Sequence, residues 1–261
     1  MCFAADNLVH SIDGGNRLEA EYRLCRVSRL SAMSCETQTL LSDTKEVKIV
    51  PGLGRVLVLA PHTDDAELGC GGTLARLVER KHDVFVVVFS IAPDSLPAGL
   101  PKATLKHEFL DSMRVLRIPS GNALVREYPV RRLAEHRQSI LEELVALRKE
   151  IAPDVVFLPC SQDIHQDHQV IHAEGVRAFK NKSLLGYELP WNTFDFGPEL
   201  IVGLEDRHME CKWNMLRAYD SQMALGRQYF SRDLMYGLAR VRGAQANKEF
   251  GEGFQVIRLN I

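Results

Sequence analysis

Two short polar clusters hold the residues of this chain most suited to chemistry. The first is His62-Thr63-Asp64-Asp65, which ends the apolar run Val56–Pro61. The second, about 100 residues later, is Ser161-Gln162-Asp163-Ile164-His165-Gln166-Asp167-His168. Imidazoles mixed with carboxylates are ligands for a divalent ion. Catalytic zinc typically takes three such protein ligands and leaves a position for water. Hydrolysis of an amide also needs a carboxylate to take the water proton and a cationic group to protonate the leaving amine. Adjacent aspartates on a loop point in different directions, so one of Asp64 and Asp65 can ligate while the other faces the water. His165 and Asp167 are expected to pair, the carboxylate raising the imidazole's pKa toward that of a useful general acid.

The elements around these clusters explain how they could meet. Val56–Ala60 reads as a buried strand, and Asp83–Phe89 (DVFVVVF) and Asp154–Leu158 (DVVFL) as two more. Apolar runs without alternation suit central parallel strands. Helical spacing appears over Gly71–Arg80, Lys102–Leu116, Arg132–Lys149 and Gln169–Phe179, with Asp167 as the expected N-cap of the last. Further strands are expected at Leu184–Leu189 and Gly253–Leu259, and further helices at Cys211–Tyr219 and Arg232–Val241. Strands alternating with helices predict an α/β fold on a parallel sheet, in one domain over residues 49–261. Residues 1–48 lack either period and are expected to form a mobile extension. Each polar cluster follows a strand and precedes a helix, so both open on the carboxyl edge of the sheet, where ligands bind in such folds.

The clusters resemble the two motifs of the PIG-L/LmbE-like family of zinc-dependent N-acetylglucosaminyl de-N-acetylases, H-x-D-D and H-x-D-H. The likeness continues through Tyr187-Glu188-Leu189-Pro190-Trp191, Lys212, Tyr219-Asp220-Ser221-Gln222, Arg242-Gly243 and Gly251-Glu252-Gly253-Phe254. It implies a Rossmann-like parallel-sheet sandwich. It implies zinc, or another divalent ion, on His62, Asp65 and His168. Asp64 would then be the general base and His165 the general acid, partnered by Asp167. The implied reaction removes an N-acetyl group from a GlcNAc-type amino sugar or glycoconjugate. Many members place Pro after the first His and Glu after the second Asp. Here those positions hold Thr63 and Ala66, with the carboxylate one later at Glu67, so the role of Glu67 is open.

Composition sets the other bounds. A formal net charge of −2 over 261 residues gives no footprint for nucleic acid. No apolar run approaches the roughly 18 residues of a membrane span. None of the six cysteines forms a C-x-x-C pair, and no apolar leader pattern opens the chain, so a cytoplasmic location is expected. The glycines at 69, 71 and 72 lack the dinucleotide spacing and read as a tight turn into a helix. Tyr187, Glu188 and Trp191 are candidates for lining a sugar pocket or for packing at a strand end. Arg131, Arg132 and Arg137 read mainly as a solvated face. Two competing functions remain. One is a related zinc amidase acting on a thiol conjugate or lipid-linked sugar. The other is a non-catalytic nucleotide-binding α/β protein.

Overall fold

The computed structural model describes residues 54–260, so the expected extension over 1–48 lies outside the described residues. Among the described residues seven strands form one sheet: β1 (Arg55–His62), β2 (Asp83–Ser90), β3 (Ala123–Val125), β4 (Val155–Pro159), β5 (Ser183–Tyr187), β6 (Leu200–Leu204) and β7 (Phe250–Arg258). Their order is β3-β2-β1-β4-β5-β7-β6. The first five in that order run parallel. β7 is antiparallel to both β5 and β6. The sheet is therefore mixed, and the fully parallel expectation fails at one edge. β7 follows the last helix directly and returns beside β5 in the opposite sense.

Alternation along β1 builds the two cores. Val56, Val58 and Ala60 face one side, packing with α1 (Asp65–Glu79), α2 (Thr104–Val115), α5 (Asp206–Arg217) and α7 (Arg232–Gln245), the last two separated in the chain by the short α6 (Asp220–Met223). Leu57 and Leu59 face the other, against α3 (Arg137–Ile151) and α4 (Gln166–Ala178). All five of these β1 side chains are fully buried. Each valine or leucine among them contributes roughly 1.5–3 kcal/mol of transfer free energy. The result is a helix–sheet–helix sandwich.

After β1 the chain builds outward through β2 to β3, then crosses back to add β4 on the other side of β1. The reversal falls between β1 and β4. Loops leaving two such strands diverge and open a crevice at their carboxyl ends. Those loops carry the two polar clusters.

Several helix starts differ from expectation, two of them beside the polar clusters. α1 begins at Asp65, not Gly71, so the glycines lie inside it rather than in a turn before it. α4 begins at Gln166, and its N-cap is His165, whose ring Nδ1 accepts from the Asp167 backbone N–H at 3.2 Å. Asp167 sits two positions past the cap, which frees its carboxylate for other partners.

Candidate metal centre

His62 closes β1 and Asp65 opens α1. The Asp65 carboxylate folds back to accept from the His62 backbone N–H at 2.8 Å. Its Oδ2 lies 3.2 Å from His62 Nδ1 and 3.3 Å from His168 Nε2, and those two nitrogens are 3.2 Å apart. Tetrahedral ligands at about 2.0–2.1 Å from a zinc ion would be spaced about 3.3–3.4 Å from one another. The triangle therefore matches the donor spacing of one face of such a site.

The remaining ring nitrogens are already engaged. His62 Nε2 meets Asp167 Oδ2 at 3.0 Å, and His168 Nδ1 meets Asp163 Oδ2 at 2.7 Å. A carboxylate on the far nitrogen fixes the tautomer and orientation of a ligating histidine. The expected His165–Asp167 side-chain pair is absent. Asp167 instead orients His62 and also accepts from the backbone N–H groups of Arg131 (2.6 Å) and Leu133 (3.2 Å). The His165 ring nitrogen nearest Asp167 is used in capping α4. Asp163 belongs to the second polar cluster, but nothing in local spacing marked it as the partner of His168.

His165 packs against the other two imidazoles, with centroids 5.0 Å from His62 and 4.5 Å from His168. One ring nitrogen from each histidine falls within 4.8 Å of the others. This histidine-rich cluster is capable of holding a divalent ion.

The electrostatics are strongly perturbed. Burial disfavours the charged form of His62, but Asp167 and Asp65 outweigh it and raise its pKa to about 8. Burial opposes charge on His168 as well, and Asp65 and Asp163 overcome it, raising its pKa to about 10. Burial acts against the Asp65 anion, yet the two histidines hold its pKa well below the usual carboxylate range. Asp64 behaves differently. Burial and the neighbouring Asp65 charge raise it to about 6. It occupies the N-cap position of α1 but its side chain caps no backbone N–H. His165 is lowered to about 4, first by desolvation and then by its two imidazole neighbours.

Asp64, Asp65 and all three histidines line a cavity of about 270 Å³. Its walls include Arg131, Asn192, Gln222 and Arg227, together with Trp191 and Tyr229, whose rings stack at 4.4 Å. Arg131 lines it while Arg132 pairs with Glu135 and Arg137 with Glu174. Of the three pocket candidates at the end of β5, only Trp191 reaches the cavity. Tyr187 is fully buried and donates to the Leu59 carbonyl at 3.0 Å. Glu188 holds Arg242 in a two-pronged ion pair, 2.7 Å at each prong. Arg227 and Tyr229 escaped sequence reading because they sit between helices, where no period marks them.

Glu67 lies beneath the first loop rather than in the cavity. Its Oε1 accepts from Ser112 Oγ at 2.6 Å and from the Tyr219 hydroxyl at 2.7 Å, and that hydroxyl also reaches the Thr63 carbonyl. Its Oε2 has no hydrogen-bond partner among the described residues. Burial raises the Glu67 pKa to about 8 against those two hydrogen bonds.

A sequence profile of the PIG-L family, described as GlcNAc-PI de-N-acetylase, matches residues 57–179, which span both clusters. The chain belongs to the PIG-L family. It is 27% identical over 176 residues to the uncharacterized deacetylase YaiS of Escherichia coli K12, covering 64% of this chain and 90% of that one. The N,N'-diacetylchitobiose deacetylase of Pyrococcus horikoshii shares the fold with a TM-score of 0.67, at 22% identity over 95% of each chain. The 4-carboxy-2-hydroxymuconate hydratase of Pseudomonas putida KT2440 shares it too, with a TM-score of 0.64 and 16% identity over 80% of this chain and 98% of that one. Fold alone therefore does not select a reaction. The family match together with the histidine cluster makes this PIG-L member a metal-dependent deacetylase or amidohydrolase.

Proposed function

We propose that the chain is a zinc hydrolase that removes the N-acetyl group of an amino sugar or glycoconjugate. The carrying observation is the donor triangle of His62 Nδ1, Asp65 Oδ2 and His168 Nε2. These residues would hold the ion, with Asp167 and Asp163 orienting the two imidazoles. This set is preferred to the three histidines because its donor atoms are closer and His165 Nδ1 is already engaged in capping α4. Zinc, when bound, acts as a Lewis acid toward the acyl carbonyl and acidifies water.

The chain's own residues supply the proton transfers. Asp64 faces the same cavity, makes no capping bond, and has a pKa raised toward neutrality, which suits a general base. His165 has a ring edge on the cavity and is the candidate to deliver a proton to the departing amine. The imidazolium of a protonated His165 would be favoured by Asp65 and Asp167 and opposed by burial, His168 and His62. Trp191 and Tyr229 offer flat apolar faces, and Asn192 and Gln222 offer amides, a combination suited to a polyhydroxyl ring.

The test is acetate release from a panel of N-acetyl amino sugars, their nucleotide and lipid conjugates, and N-acyl thiol conjugates, before and after chelation. Chelator-sensitive acetate release from an amino sugar supports the reading. Turnover confined to thiol conjugates would place the chain with the related amidases instead.

A further inference from the structure

Helix α1 is broken in its middle. Cys70 leaves helical geometry, with φ −145° and ψ 19°. In an unbroken helix the Gly72 N–H would pair with the Leu68 carbonyl. Here the Leu68 carbonyl accepts from Lys212 Nζ at 2.8 Å. The Gly72 and Thr73 N–H groups donate to Glu252, to Oε1 at 3.0 Å and Oε2 at 2.6 Å. Lys212, from α5, and Glu252, from β7, also meet each other at 2.7 Å, with side chains only 5% and 6% exposed. The ammonium thus closes the carboxyl end of the first segment and the carboxylate closes the amino end of the second, each matching the local dipole.

The glycines make this insertion possible. A Cβ on Gly71 would fall 3.1 Å from Lys212 Cγ and 2.9 Å from Met215 Cε. One on Gly72 would fall 2.5 Å from Leu204 Cδ1, and one on Gly69 would meet the Tyr187 ring at 2.4 Å. Burying two charges carries a desolvation cost that an unbroken helix would avoid, since it satisfies the same backbone groups without them. Stability alone therefore gives no reason for the pair.

Its location does. The segment before the break is barely more than one turn, and it begins with Asp65. Such a short turn takes little rigidity from the rest of α1 across a non-helical residue. The Lys212 link to Leu68 anchors it three residues from Asp65.

We propose that Lys212 and Glu252 are positioning residues that hold the first turn of α1 so that Asp65 completes the donor triangle with His62 and His168. The inference rests on the metal-site reading above. Zinc affinity is the primary readout, measured by chelator competition on wild type, Lys212→Met and Glu252→Gln. Glu188→Gln is the control, because it weakens a neighbouring buried ion pair with no link to the first turn of α1.

Both test variants are expected to bind zinc about tenfold more weakly or worse, in the range found when supports of metal ligands are lost. At saturating zinc they should show a lowered kcat with KM unchanged. The control should lose thermal stability alone. Amide exchange in the wild-type chain gives a second measurement that needs no variant. Zinc should slow exchange at Gly72 and Thr73 along with the 62–65 loop, while α7 stays as it was. Variants that bind zinc like wild type, or exchange at Gly72 and Thr73 that ignores zinc, would overturn the inference. A wild-type chain that takes up no zinc would overturn the metal reading with it.

Discussion

Helix α1 separates two charged clusters that follow opposite rules. At its amino end His62, Asp64, Asp65, His165 and His168 converge on a cavity. Behind it Glu188 meets Arg242 and Lys212 meets Glu252. Burial does not distinguish them, since Asp65 and His168 are as enclosed as Glu188 and Lys212. Balance does. Behind the helix every charge has its opposite within hydrogen-bonding distance. In front, two imidazole nitrogens and a carboxylate oxygen crowd together, the N-cap carboxylate of Asp64 makes no capping bond, and ordinary pKa values are displaced in both directions. Groups held in so unbalanced a state are arranged for a ligand, whereas the balanced cluster is framework.

The contrast breaks most sharply at the triangle. His168→Ala removes a donor and its Asp163 support, and should abolish both zinc retention and turnover, as measured by metal content and acetate release. Asp163→Asn keeps the donor but loosens it. It should weaken zinc binding about 10–100-fold, read by chelator competition.

Proton linkage sharpens the contrast further. In the metal-free chain His62 is raised to about 8 and His168 higher, so both carry protons near neutrality. Zinc must displace those protons, so its affinity should climb as pH rises through about 8, with proton release visible by calorimetry. The metal-free chain should move the other way. The stability contributed by charged His62 is fully present below about 6.5 and is lost as pH passes about 8. Affinity that is flat with pH would contradict the raised values. The smallest effect on the site is expected from Arg242→Ala. Breaking that buried pair should cost about 3–5 kcal/mol of stability in chemical denaturation, with zinc affinity unchanged.

Local pattern carried the reading of β1, β2 and β4 and of the two loops that follow β1 and β4. Buried parallel strands announce themselves by composition, and polar residues at their carboxyl ends stand out against them. What pattern could not supply was the partner across the fold. Asp167 lies beside His165 in sequence but serves His62, on a different strand, because the helix cap took the nearer nitrogen. The glycines of α1 looked like a turn because their purpose is the approach of Lys212, Glu252 and Tyr187, all distant in the chain. Glu188 was weighed as a sugar-pocket residue because nothing local revealed Arg242. The antiparallel edge was missed for a related reason: a strand's direction depends on where the chain returns, not on the residues within it.

The central claim assigns neighbouring aspartates different duties, Asp65 holding the ion and Asp64 working on the water. Asp64→Asn tests this most directly, by zinc content and single-substrate kinetics on one preparation. The account predicts wild-type zinc content with kcat lowered about 10²–10⁴-fold, the span of a lost general base. A variant that keeps full activity, or loses its zinc along with activity, would contradict it.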